Sequence, residues 1–177
     1  MSQPNPFESP QTPIGNFSPP LPDDGSIGGW ARQITIVAIL LIVEGVLELL
    51  YGLYMVGMGV FMATYFENFL PPEQRNAPNA PPPAFMFGIF FVWAVFIIPP
   101  AIVKIWAGIS NYNFRRRTLG IVALALGAMS CVTIYCAPTG IALMIYGLIV
   151  YLKPDSEMAF ACGAQGFTGD QIRARIR

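Results

Sequence analysis

The stretch Ile42–Tyr54, IVEGVLELLYGLY, decides how this chain is read. It places two glutamates, Glu44 and Glu48, in the middle of a run from Gln33 to Phe66 that holds no other charged residue. About 20 apolar residues suffice to cross a bilayer as a helix, and this run is longer. An ionised carboxylate in that setting is costly unless it is paired. Four residues separate the two acids, which puts them one above the other on one helix face.

Composition agrees with a membrane setting. The chain has 177 residues, 54% hydrophobic and 11% charged. A soluble domain would carry about 25% charged residues. Ten basic residues balance ten acidic ones, and no basic cluster is interleaved with aromatics, so no nucleic-acid partner is expected. Histidine is absent. That removes the usual general base and the commonest metal ligand. No phosphate loop, HExxH, CxxC pair or nucleophile elbow occurs, so neither enzymatic activity nor a cofactor is expected. Cys131 and Cys136 lie on different helix faces, and with Cys162 they read as small packing residues.

Four apolar spans are expected, at about 33–66, 85–111, 118–135 and 139–152. They form an all-α, integral membrane four-helix bundle over residues 30–153. Residues 1–29, rich in Pro, Asn, Ser and Gly, are expected to be a disordered cytoplasmic tail. They lack the basic start and early apolar run of a signal peptide. The NPF within PNPFESP resembles a peptide-docking motif, on three residues alone. Residues 67–84, ENFLPPEQRNAPNAPPPA, read as an extended polar loop because of their prolines. Pro99 and Pro100 are expected to kink the second span and free the carbonyls of Val95 and Phe96. Residues 136–140, CAPTG, read as the turn into the fourth span. KPDSEMAF leaves the membrane as a short interfacial helix that begins a cytoplasmic tail, 154–177.

Orientation follows from loop charge. Arg115, Arg116 and Arg117 lie between spans two and three, and Lys153, Arg173, Arg175 and Arg177 follow span four. The other loops carry one positive charge, Arg75. The positive-inside rule then puts both termini in the cytoplasm of a multi-pass inner-membrane protein. The basic turn could also hold anionic headgroups, although topology alone accounts for it.

A spacing of seven recurs among small residues: Gly45, Gly52 and Gly59; Ala94, Ala101 and Gly108; Gly120 and Gly127; Gly140 and Gly147. Such seams let helices approach closely with left-handed crossing, within one chain or between copies. Glu48 falls on the first seam and Lys104 on the second. An ion pair between Lys104 and Glu44, with Glu48 close by, is therefore expected. Two acids against one base leave one carboxyl over, which is expected to be protonated and to meet Tyr51, Ser130 or Tyr146. The favoured role of this cluster is structural, fixing helix register. The alternative is a site for proton- or cation-coupled transport.

Three segments resemble a known group. NPFESPQ, NYNFRRRTLGIVAL and YCAPTGIALMIYGLIVYLKPDSEMAF are similar to the opening and second half of uncharacterised four-span proteins from planctomycete bacteria. The resemblance covers most of Asn111–Phe160. It implies a small membrane protein and carries no assigned site residue. Small multidrug exporters also have four short helices and an acid in the first. This chain departs from them in its Pro-rich loop, its two tails, its strong basic bias and its neutralising lysine. The expectation is a non-enzymatic structural or interaction component of the membrane, with the bilayer and a second copy or another membrane protein as partners.

Overall fold

The computed structural model describes residues 29–69, 71–75, 82–127 and 137–176, and these are all-helical. The elements are α1 (Trp30–Asn68), α2 (Pro72–Arg75), α3 (Pro83–Tyr112), α4 (Arg117–Gly127), α5 (Ala137–Tyr151), α6 (Pro154–Ala164) and α7 (Gly169–Arg175). The N-terminal tail, Cys131, Cys136, Ser130 and the second half of the expected third span lie outside the described residues.

Two helices are long and apolar enough to cross a membrane, α1 and α3. At about 1.5 Å per residue they extend about 58 Å and 45 Å. They pack along each other as an antiparallel pair. The contact face of α1 is a strict alternation of three and four: Ala31, Ile34, Ala38, Leu41, Gly45, Glu48, Gly52 and, one heptad on, Gly59 are all buried. That period of 3.5 is the seam of a left-handed pair. From Gly45 onward the side chains on it are small or charged. The exposed face carries Val43, Leu47, Leu50, Leu53 and Tyr54. Over that stretch the large hydrophobic residues are outside, the reverse of a soluble amphipathic helix.

The glycines explain the close approach. A Cβ on Gly45 would lie 2.9 Å from the Ala101 carbonyl oxygen, and one on Gly108 would lie 2.7 Å from that of Ala38. Ile98 and Phe90 of α3 close over Gly52 and Gly59. Backbone cannot retreat as a flexible side chain can, so these positions accept no larger residue. The seam on α1 and α3 is therefore filled from within the chain, which leaves those glycines unavailable for pairing with a second copy.

At the other end of the pair, α4 and α5 stack on each other and α6 and α7 close the bundle. The core there gathers Ile34, Val37, Phe114, Leu124, Tyr151, Phe160 and Ile172 from α1, the α3–α4 turn, α4, α5, α6 and α7. Phe114 carries φ 56°. A bulky residue in that region is rare and costs roughly 1–2 kcal/mol. Its ring is fully buried and meets Phe160 edge-on at 6.1 Å between centroids, and that packing offsets the strain. Gly163 lies directly against the Phe114 carbonyl, where a side chain would collide. Tyr151 also meets Phe160 edge-on, and the Ser156 hydroxyl donates to the Val150 carbonyl at 2.6 Å. Thr168 and Gln171 form a reciprocal cap at the start of α7.

Three expectations need correction. Residues 154–176 are not a tail separate from the bundle: they fold back over its end, because Ala159, Phe160, Cys162 and Ile172 supply apolar faces to the core. The prolines of 67–84 do not keep that segment extended throughout. Helix α1 runs on to Asn68, and Pro72 and Pro83 stand at the first position of α2 and α3, where the missing N–H is not needed. Pro138, Thr139 and Gly140 belong to α5 rather than to a turn, again with proline in the first helical turn. Pro99 and Pro100 lie inside α3 without ending it.

Two comparisons test this packing by thermal unfolding of the purified protein. Gly108→Ala should lose about 1–3 kcal/mol through overpacking. Gly57→Ala, where a Cβ meets nothing within 4 Å, should be neutral or gain up to about 1 kcal/mol. Equal effects would refute the seam. The cap is tested at Cys162, which is buried and whose thiol is pushed up by that burial. With Cys131 and Cys136 replaced by Ser, maleimide labelling of Cys162 in the folded protein should be slow. Adding Gly163→Ala should speed it by about tenfold or more, since labelling then reports opening of the cap.

Candidate functional site

Glu44, Glu48 and Lys104 form one cluster on the buried face between α1 and α3. Lys104 is fully buried. Its Nζ donates to Glu44 Oε1 at 3.0 Å and to Glu48 Oε1 at 2.6 Å. The expectation that Glu44 takes the lysine while Glu48 stays unmatched is therefore corrected. Both acids share one ammonium, and the closer contact is to Glu48. The reason is geometric. Residues four apart on α1 present their carboxylates as a pair about one helical pitch apart, and an ammonium on a long flexible stem can sit between them.

Small residues make room for this. Gly45 lets α3 lie close enough for the lysine stem to stay inside the pair. Gly127 of α4 faces the ammonium, for a Cβ there would lie 3.8 Å from Lys104 Nζ and 3.8 Å from the Gly140 carbonyl oxygen. Gly127 and Gly140 are both buried, so α4 and α5 meet beside the charge cluster. Gly120 lies under the Asn111 amide and the Tyr151 ring, and Gly147 under Leu124. Ala101 is fully buried on α3 next to Gly45. These seam residues thus sit at helix contacts, and Lys104 lies where α1, α3, α4 and α5 converge.

The expected hydrogen-bond partners are differently used. The Tyr146 hydroxyl donates to Gln33 Oε1 at 2.6 Å, tying α5 to α1 about three helical turns before Glu44. Tyr51 is half-buried and stacks on Tyr54. Sequence reading missed a second polar layer. Asn111 donates to the Tyr151 hydroxyl at 3.1 Å, and Arg117 Nε donates to the Tyr151 carbonyl at 3.1 Å. Asn111 is three residues after Gly108 on the same seam, so the spacing that found Lys104 points to it too.

Between α1 and α5 runs an open groove of about 440 Å³. Leu40, Val43 and Leu47 form one wall and Thr139, Ala142, Leu143 and Tyr146 the other, and Glu44 also lines it. The charge cluster is therefore enclosed on the α3 side and borders a groove on the α5 side.

Apart from Arg75 in α2, the described basic residues outside the cluster gather at one end. Arg173 donates to the Tyr112 carbonyl at 2.8 Å and lies over its ring at 4.4 Å. Arg116 lies over Trp106 and Lys153 over Trp30. Arg117 pairs with Glu157 at 3.2 Å. Among the described residues no group of His, Cys, Asp and Glu could hold a metal ion.

Removing Lys104 should cost much more than removing the whole cluster. Lys104→Met leaves two buried carboxylates without their shared cation and should lose about 3–5 kcal/mol. The triple change Glu44→Gln, Glu48→Gln and Lys104→Met should restore stability to near wild type in a denaturant titration. A triple variant as unstable as the single would refute a mainly structural pairing.

The chain matches no protein-family model, no curated protein and no solved structure.

Proposed function

We propose that this chain is an integral protein of the bacterial inner membrane, a four-span helical bundle with both termini cytoplasmic, acting as a non-enzymatic structural or interaction component. The observation that carries the membrane assignment is the inverted helix surface. Only 39% of the most apolar stretch of α1 and 17% of that of α3 is buried. A core helix of a soluble protein would be mostly buried. Leu47, Leu50 and Leu53 are each more than half exposed. In water each would forgo part of the roughly 1.5–3 kcal/mol that burial provides, whereas in hydrocarbon the same surface is at no disadvantage.

A membrane also accounts for the interior. Between apolar helices in lipid no hydrophobic effect draws one to the other, so small residues and polar contacts must hold them. The glycine seam and the Glu44–Lys104–Glu48 cluster are that kind of contact. The single-ended distribution of Arg115, Arg116, Arg117, Lys153, Arg173 and Arg175 supports the cytoplasmic assignment of that end. Shared use of Lys104 by both acids favours a register-fixing role over a transport site. For a partner, the outer half of α1 and α3 offers exposed aromatics, among them Phe61, Tyr65, Phe85 and Phe91.

Topology reporters test the assignment. A fluorescent protein fused after Arg177 should fluoresce. An alkaline phosphatase reporter inserted within residues 76–81 should be active on the other side. The opposite pattern, or recovery of the protein in the soluble fraction, would overturn it.

A further inference from the structure

We propose that the groove between α1 and α5 binds a lipophilic cation, with Glu44 as its counter-ion. Charge arithmetic supplies the first argument. Within the four spans the sequence holds two acids, Glu44 and Glu48, and one base, Lys104. One negative charge is left to be neutralised, by a proton or by a cation that can reach it. The geometry supplies the second. Lys104 lies on the α3 side, fully buried. Glu44 is the member of the cluster that also lines the groove, so a ligand can approach it without displacing the lysine.

The walls decide which cation. Leu40, Val43, Leu47, Ala142 and Leu143 offer hydrocarbon, Thr139 and Tyr146 add one hydroxyl each, with that of Tyr146 already donated to Gln33, and none carries a second charge. A small hydrated ion would lose its water there with little replacement. An onium group on an apolar body suits both parts: its weakly hydrated charge rests near the carboxylate while its body covers the walls. About 440 Å³ lies within the roughly 300–1,000 Å³ of small-molecule pockets. The bound cation takes the place of the neutralising proton, so binding releases up to one proton to solvent and strengthens as pH rises.

The experiment is equilibrium binding of tetraphenylphosphonium to the purified full chain in detergent, with uncharged triphenylphosphine oxide as the control. Tetraphenylphosphonium should bind at least about tenfold more tightly than the control, and more tightly at pH 8 than at pH 6. Glu44→Gln should weaken it about tenfold and flatten the pH dependence. Ala142→Trp fills the groove from an exposed position away from the charge cluster, so it should abolish binding while leaving thermal unfolding unchanged. It keeps the test decisive if Glu44→Gln does not fold. Absence of binding, equal binding of the neutral control, or binding untouched by Ala142→Trp would each overturn the proposal. Equal binding would mark the groove as a site for acyl chains or detergent alone. The measurement does not depend on the orientation of the chain in a bilayer, so its failure and a failure of the topology assignment are distinguishable.

Discussion

A single ammonium shared by two carboxylates is the constraint around which this bundle is arranged. Lys104 is the sole basic residue of α3, and it is the point at which α1 and α3 are pinned in register. Sliding α3 by one helical turn would carry the ammonium about 5.4 Å along α1 and break at least one of its two contacts. The small residues follow from that demand. Gly45 admits α3 on one side, and Gly127 and Gly140 let α4 and α5 close beside the amine. Replacing any of them with a bulky residue would push a helix away from a charge that has no good alternative position.

The molecule has two unlike halves. At the basic end, six segments share one core, with Phe114 and Tyr151 locked against Phe160 and with backbone carbonyls taken up by Arg117 and Arg173. Toward the other end, α1 and α3 continue as a pair with much of their circumference exposed and aromatic. Low exposure and dense polar bonding make the first half the rigid one. The second half holds together through the glycine seam, where Gly52 and Gly59 meet Ile98 and Phe90. A partner or lipid would meet the chain chiefly along that exposed half, while the charge cluster marks the transition between them.

Much of this was legible from residue spacing. The heptad glycines named the contact face of α1 and α3, and the positions of Glu48 and Lys104 on those seams brought the charges together. Local signals that depend on one residue read less well. Proline reads as a breaker in 67–84 and CAPTG as a turn, yet Pro72, Pro83 and Pro138 stand in first helical turns, where their fixed φ favours the helix. The cap was missed because α6 is only weakly amphipathic. Its fit depends on Gly163 lying against Phe114, a contact between residues far apart in sequence. The groove could not be read at all, since it is a gap between α1 and α5 rather than a property of either.

The closure of α6 and α7 over the basic end has a consequence for the order of assembly. The ribosome makes α1 first, and the core at its start stays open until Phe160 and Ile172 have emerged. Until then Phe114 lacks the ring that offsets its strained backbone. The core around the start of α1 thus waits on α6 and α7 for its seal.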